Sequence, residues 1–95
     1  MRTIQEQVTN VVALMNPGVV SQISVASDLE SIVVSLQPNQ NAKEIAGEMG
    51  IDLGCGYGCS SGVTADESRH AVIINRNTVH DKEAYDLLLR VLETC

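Results

Sequence analysis

The sequence predicts an α+β fold: seven elements in the order αββαββα, with a four-stranded, mostly antiparallel sheet carrying its helices mainly on one face. Three observations predict it. Helical hydrophobic spacing with cap residues beside it occupies both ends of the chain and one segment in the middle. Runs rich in β-branched residues fill the two intervals between those segments. The connections within each pair of runs are short and polar, which suits hairpins and leaves no room for the crossovers of parallel strands.

The first helix is "TIQEQVTNVVALMNPG". Thr3 with Glu6 makes a capping box, Ile4, Val8, Val11, Val12 and Met15 share a face, and Asn16-Pro17-Gly18 stops the run. "VVSQISVAS" puts Val19, Ile23 and Val25 on one side; "SIVVSLQ" puts Ile32, Val34 and Leu36 on one side, with Ser31, Ser35 and Gln37 opposite. The polar "SDLE" between them makes the pair an antiparallel hairpin. A short helix follows Pro38, capped by Asn41 with Glu44 three positions on, carrying Ile45, Ala46 and Met49 inward and ending at Gly50. The third strand falls in "GIDLGCGYGCSSG", residues 50–62, followed by a polar loop "SSGVTADES". In "RHAVIINR" the apolar run Ala71 to Ile74 suits a strand covered on both faces. The last helix, "HDKEAYDLLLRVLETC", has Asp81 and Glu83 where a helix N-terminus favours negative charge, and an apolar stripe of Ala84, Leu88, Val91 and Cys95.

Ninety-five residues make one domain, 1–95, which removes roughly 60 to 65% of its unfolded surface from water and has room for one core. With no Phe or Trp and two Tyr, that core is built from small branched residues, and a large aromatic-lined substrate cavity is not expected. A net charge of -6, with scattered Lys and Arg, opposes a nucleic-acid partner. No apolar run approaches the ~20 residues of a membrane span, and "MRTIQEQVTN" lacks a signal core, so a cytoplasmic protein without membrane contact is expected. Three cysteines, an odd number, point to reduced thiols.

The glycine stretch admits several chemistries. "IDLGCGYG", residues 51–58, resembles the first motif of the class I S-adenosylmethionine methyltransferases, which implies a strand running into a glycine turn against the cofactor. The likeness covers those eight residues. The sequence departs from the family afterwards: "CSSGVTADES" is a poor helix opening, and the next strand ends Ile74-Asn75-Arg76-Asn77 without the acid that holds a ribose. That fold also needs about twice this length. No cofactor is therefore expected. Cys55 and Cys59 have a spacing that zinc or thiol chemistry allows, but extended residues 55 to 59 stand ~13 Å apart at ~3.3 Å per residue, too far to share an ion. Read with period two, Ile51, Leu53, Cys55, Tyr57 and Cys59 face one side of a strand, with both thiols in the core. Gly54, Gly56 and Gly58 then leave a furrow of bare backbone, where another backbone, helix or partner comes close.

Glu44 and Glu48, one helical turn apart, lead with Asp52 to that furrow and form an acidic patch able to steer a basic partner. His70 and His80 are acid–base candidates by residue type alone. No nucleophile–base signature is present. The expected function is a non-enzymatic protein-interaction module: a small acidic adaptor, inhibitor or chaperone-like factor, homodimeric, binding another protein through Glu44, Glu48, Asp52, Gly54, Gly56 and Gly58. The alternatives are an anion binder using the backbone of Gly54 to Gly62, and a thiol or zinc protein using Cys55 and Cys59.

Overall fold

A computed structural model describes residues 3–53, 62–79 and 81–93. Its elements are α1 (Ile4–Leu14), β1 (Val20–Val25), β2 (Ser31–Leu36), α2 (Ala42–Leu53), β3 (Val63–Asp66), β4 (Ala71–Asn75) and α3 (Lys82–Glu93). This is the α+β order that the sequence predicts. The four strands lie in the order β1-β2-β4-β3, and every neighbouring pair is antiparallel.

Side-chain caps fix where the helices begin. Thr3 Oγ1 accepts from the Glu6 amide at 3.1 Å. Asn41 Oδ1 accepts from the amides of Lys43 and Glu44 at 3.0 and 3.3 Å, and Asp81 Oδ1 accepts from that of Ala84 at 3.1 Å. Each cap satisfies donors that the first turn of a helix leaves without a partner.

The core lies between the helices and one face of the sheet. Ile32, Val34 and Leu36 of β2 and Val72 and Ile74 of β4 are buried in one cluster with Val8 and Val11 of α1, Met49 and Leu53 of α2, and Tyr85 and Leu88 of α3. Because side chains alternate across a strand, the register partners Val33 and Ile73 point to the opposite face, where they stay half-buried between Ser24 and Thr64. The helices thus share one side.

Four sequence expectations are corrected. β4 is not covered on both faces, because Ile73 lies on the open side; its apolar run reflects a central strand flanked by β2 and β3. In β1 the buried residue is Val20, which strict alternation with Ile23 does not predict, while Val19, just ahead of the strand, is half-buried against the same core: Val20 pairs with Leu36 and Gln22 with Ser35, so Ser21 is an extra residue. That bulge puts Val20 and Ile23, three apart, on one face, which strict alternation forbids. Gly50 does not end α2, which continues through Ile51 and Asp52 to Leu53. The third strand is therefore not at residues 51–53, and the strand that the methyltransferase likeness requires before its glycines is a helix there. Finally β3 is Val63–Asp66, inside the stretch expected to be a loop.

No helix among the described residues is long and apolar enough to cross a membrane.

Candidate functional site

The β1–β2 hairpin turns at Ala26 to Glu30. The Ala26 amide donates to the Ser31 carbonyl at 3.0 Å and the Leu29 amide to the Ala26 carbonyl at 2.9 Å, while Asp28 Oδ1 accepts from the Glu30 amide at 3.0 Å. To bring the chain back into register, the turn needs a left-handed residue before Glu30. That residue is Leu29, at φ 62. Leucine has no side-chain hydrogen bond to offset the clash of its Cβ, and the conformation costs about 1–2 kcal/mol. Leu29 is also 45% exposed, alone among the large hydrophobic residues described.

A scaffold from α3 and the end of β4 holds this conformation. The Tyr85 hydroxyl, buried against the core, donates to the Leu29 carbonyl at 3.1 Å. The Arg76 amide donates to the Glu30 carbonyl at 2.8 Å. Arg76 then grips Asp86 with two prongs, Nε to Oδ1 at 2.8 Å and Nη2 to Oδ2 at 3.2 Å. That pair draws the Asp86 carboxyl below its ordinary range, through the Arg76 hydrogen bond first, and raises the Arg76 guanidinium in turn. Burial, followed by the charge of Glu30, pushes the Tyr85 hydroxyl up. Glu30 Oε2 is buried with no hydrogen-bond partner among the described residues.

Asp28, Glu30 and Asp86 outnumber Arg76 and Arg90, whose charge also reaches Asp86, so this end of the sheet carries an apolar knob in a rim that is acidic on balance. The Tyr85 hydroxyl is already a donor and its proton is held more tightly than usual, which makes it a poor acid or base. The arrangement presents an exposed apolar side chain beside charged groups.

At the opposite end of the sheet, Asn39, Gln40, Asn41, Ala42, Glu67 and His70 line an open, polar cleft of about 410 Å³. His70 closes the β3–β4 turn with φ 53. Its Nε2 stands 2.8 Å from the Gln37 carbonyl oxygen, an acceptor, so Nε2 carries the proton and donates. This bond ties the turn to the end of β2, which is a structural task.

The acidic patch is smaller than the sequence suggests. Glu44 and Glu48 are exposed on α2, but Asp52, one turn further, is 6% exposed under α1. Its carboxylate accepts from Asn10 Nδ2 at 3.3 Å and its carbonyl from Gln7 Nε2 at 2.7 Å. Gly54, Gly56, Gly58, Cys55, Cys59, His80 and Cys95 lie outside the described residues. Gly62 is described, at φ 78, and a Cβ placed there would stand 2.2 Å from the main-chain carbonyl of Thr78. At Gly62 the protein's own β4–α3 connection comes close; the furrow expected at Gly54, Gly56 and Gly58 lies outside the described residues.

Sequence reasoning passed over Leu29, Arg76 and Tyr85. The one available signal was a leucine inside the polar "SDLE" turn. No family model matches the chain, and no curated protein and no solved structure is found to be similar to it.

Proposed function

We propose that the protein is a non-enzymatic protein-interaction module, a small acidic adaptor, inhibitor or chaperone-like factor of the cytoplasm. It docks on its partner with the β1–β2 hairpin end, Leu29 entering an apolar recess whose rim is basic. The supporting observation is Leu29 itself: an exposed leucine, in a conformation that glycine would adopt without strain, kept there by a buried tyrosine. Strain held by a surrounding scaffold clusters at functional positions, and a protruding apolar anchor with a charged surround is how small interfaces concentrate their binding energy. Asp28, Glu30 and Asp86 speed encounter with the basic rim, and Glu44 and Glu48 add to the same field from α2.

The experiment is affinity capture from the native host with the wild-type protein and Leu29→Gly as paired baits. Both variants should show the same circular dichroism spectrum. The wild type should retain a protein that elutes at raised salt, and Leu29→Gly should lose it. Equal capture by both baits would end the proposal.

A further inference from the structure

β1 ends the sheet, and its backbone orientation can be followed residue by residue. The Ala26 amide donates to the carbonyl of Ser31 opposite it. The register then runs Val25↔Ile32, Ser24↔Val33, Ile23↔Val34 and Gln22↔Ser35. In an antiparallel ladder, pairs that exchange hydrogen bonds alternate with pairs that do not. Gln22, Ser24 and Ala26 therefore turn their main-chain groups toward β2, while Ile23 and Val25 turn theirs to the open edge.

The start of the same edge is closed. The Val20 amide donates to the Asn16 carbonyl at 2.9 Å, the Val20 carbonyl accepts from Gln37 Nε2 at 3.4 Å, and the bulge at Ser21 interrupts the register. Among the described residues, what stays open is Gln22 to Val25. It contains no charge, no lysine and no proline, the residues that ordinarily blunt an edge. The other outer strand, β3, has four residues, ends in Asp66 and lies beside α2.

We propose that two copies of this chain pair antiparallel through Gln22 to Val25, about a two-fold axis at Ser24, joining their sheets into one of eight strands. With Ser24 opposite the partner's Ser24, Ile23 lies opposite the partner's Val25 and Val25 opposite the partner's Ile23. Each of those pairs exchanges two main-chain hydrogen bonds, so the four bonds use every outward group of both segments. The two-fold axis stands perpendicular to the sheet and keeps both sets of helices on the same side. Ile23 and Val25, half-buried in one copy, then meet their counterparts on that side.

The main-chain pattern selects a second copy as the occupant, because about Ser24 the outward groups of Ile23 and Val25 complement those of their own copies. A chain of net charge -6 repels itself over most of its surface, and the segment from Val20 to Val25 offers an approach with no acid in it. Added salt therefore strengthens this pairing, the reverse of its effect on docking at the hairpin end. The inference does not rest on Leu29.

Light scattering at about 100 μM, where associations weaker than micromolar are still populated, tests it with the full chain. The expected mass is twice 10.2 kDa. Ser24 is exposed on the open face, so Ser24→Lys leaves the fold unchanged by circular dichroism while placing like charges across the axis. It should run as a monomer, and Leu29→Gly should stay dimeric. Directly opposed residues that exchange no hydrogen bonds stand about 4.5 Å apart at Cα, within disulfide reach. Oxidised Ser24→Cys should give a covalent dimer whose peptide map links position 24 to position 24. A monomeric wild type, a dimer that survives Ser24→Lys, or a dimer without that link would each overturn the proposal.

Discussion

The hydroxyl of Tyr85 donates to the main-chain carbonyl of Leu29, 3.1 Å away and 56 positions earlier in the chain. This contact ties α3 to the hairpin tip. Tyr85 is wholly buried and Leu29 nearly half exposed, so one hydrogen bond connects the core to the one exposed large apolar side chain among the described residues. The strain at Leu29 is maintained from inside.

Leu29→Gly should stabilise the protein. Glycine relieves a left-handed clash worth about 1–2 kcal/mol and gives back part of that gain through the greater entropy of the unfolded chain. A net gain of about 0.5–1 kcal/mol raises Tm by a few degrees in a domain this small. A thermal melt decides it: a variant less stable than wild type would show that Leu29 is not strained.

Tyr85→Phe keeps the ring in the core and removes the bond to Leu29, at a cost of about 1 kcal/mol. Its pH dependence separates this role from simple packing. Burial raises the Tyr85 hydroxyl above the ordinary tyrosine value of 10.0. The folded state thus holds the proton more tightly, and this contribution is complete below that value and lost as pH rises through the folded one. Denaturation midpoints measured through the alkaline range should fall less steeply for Tyr85→Phe than for wild type.

Acid acts on the Arg76–Asp86 pair with the opposite sign. Asp86 is held below its ordinary value of 3.8 by the Arg76 hydrogen bond, and Asp66 below the same value by the Ser68 hydroxyl. Their contributions are present above that value and lost as pH falls through the folded ones. The side chains of Arg76 and Asp86 are 35% and 47% exposed, so water screens the pair. Asp86→Asn should cost less than ~1 kcal/mol at neutral pH and make the acid limb of a urea-midpoint profile shallower. A loss of several kcal/mol would mean that the pair acts as a buried one.

Gly62→Ala should be the most damaging small change of this set. Its φ of 78 disfavours any side chain, and the added methyl would stand 2.2 Å from the Thr78 carbonyl, so backbone must move. A loss of about 2 kcal/mol or more is expected in chemical denaturation. Wild-type stability in this variant would show that the Thr78 connection yields easily.

Much of the fold is legible in the sequence because it is fixed by interactions within a few residues. The Thr3 and Asn41 caps, the Asn16-Pro17-Gly18 stop and the alternation of Ile32, Val34 and Leu36 all act where they are written. Where local rules compete, tertiary packing decides. A Gly after Met49 reads as a stop, yet Ile45, Ala46, Met49, Gly50 and Leu53 keep helical spacing, and burying that face against α1 and α3 carries α2 past the glycine. The same extension turns Asp52 from a surface acid into a buried acceptor for Asn10, and it leaves the strand role to Val63–Asp66.

By itself the sequence determined the α+β class, the order of seven elements and the helix starts, since hydrophobic period and cap chemistry are short-range. Only the tertiary structure decided the bulge at Ser21, the left-handed Leu29 and its bond to Tyr85, because each needs groups far apart in the chain to meet. A leucine accepts positive φ when a buried hydroxyl fixes its own carbonyl and the Arg76 amide fixes that of the next residue, and neither partner is visible from the turn's own letters.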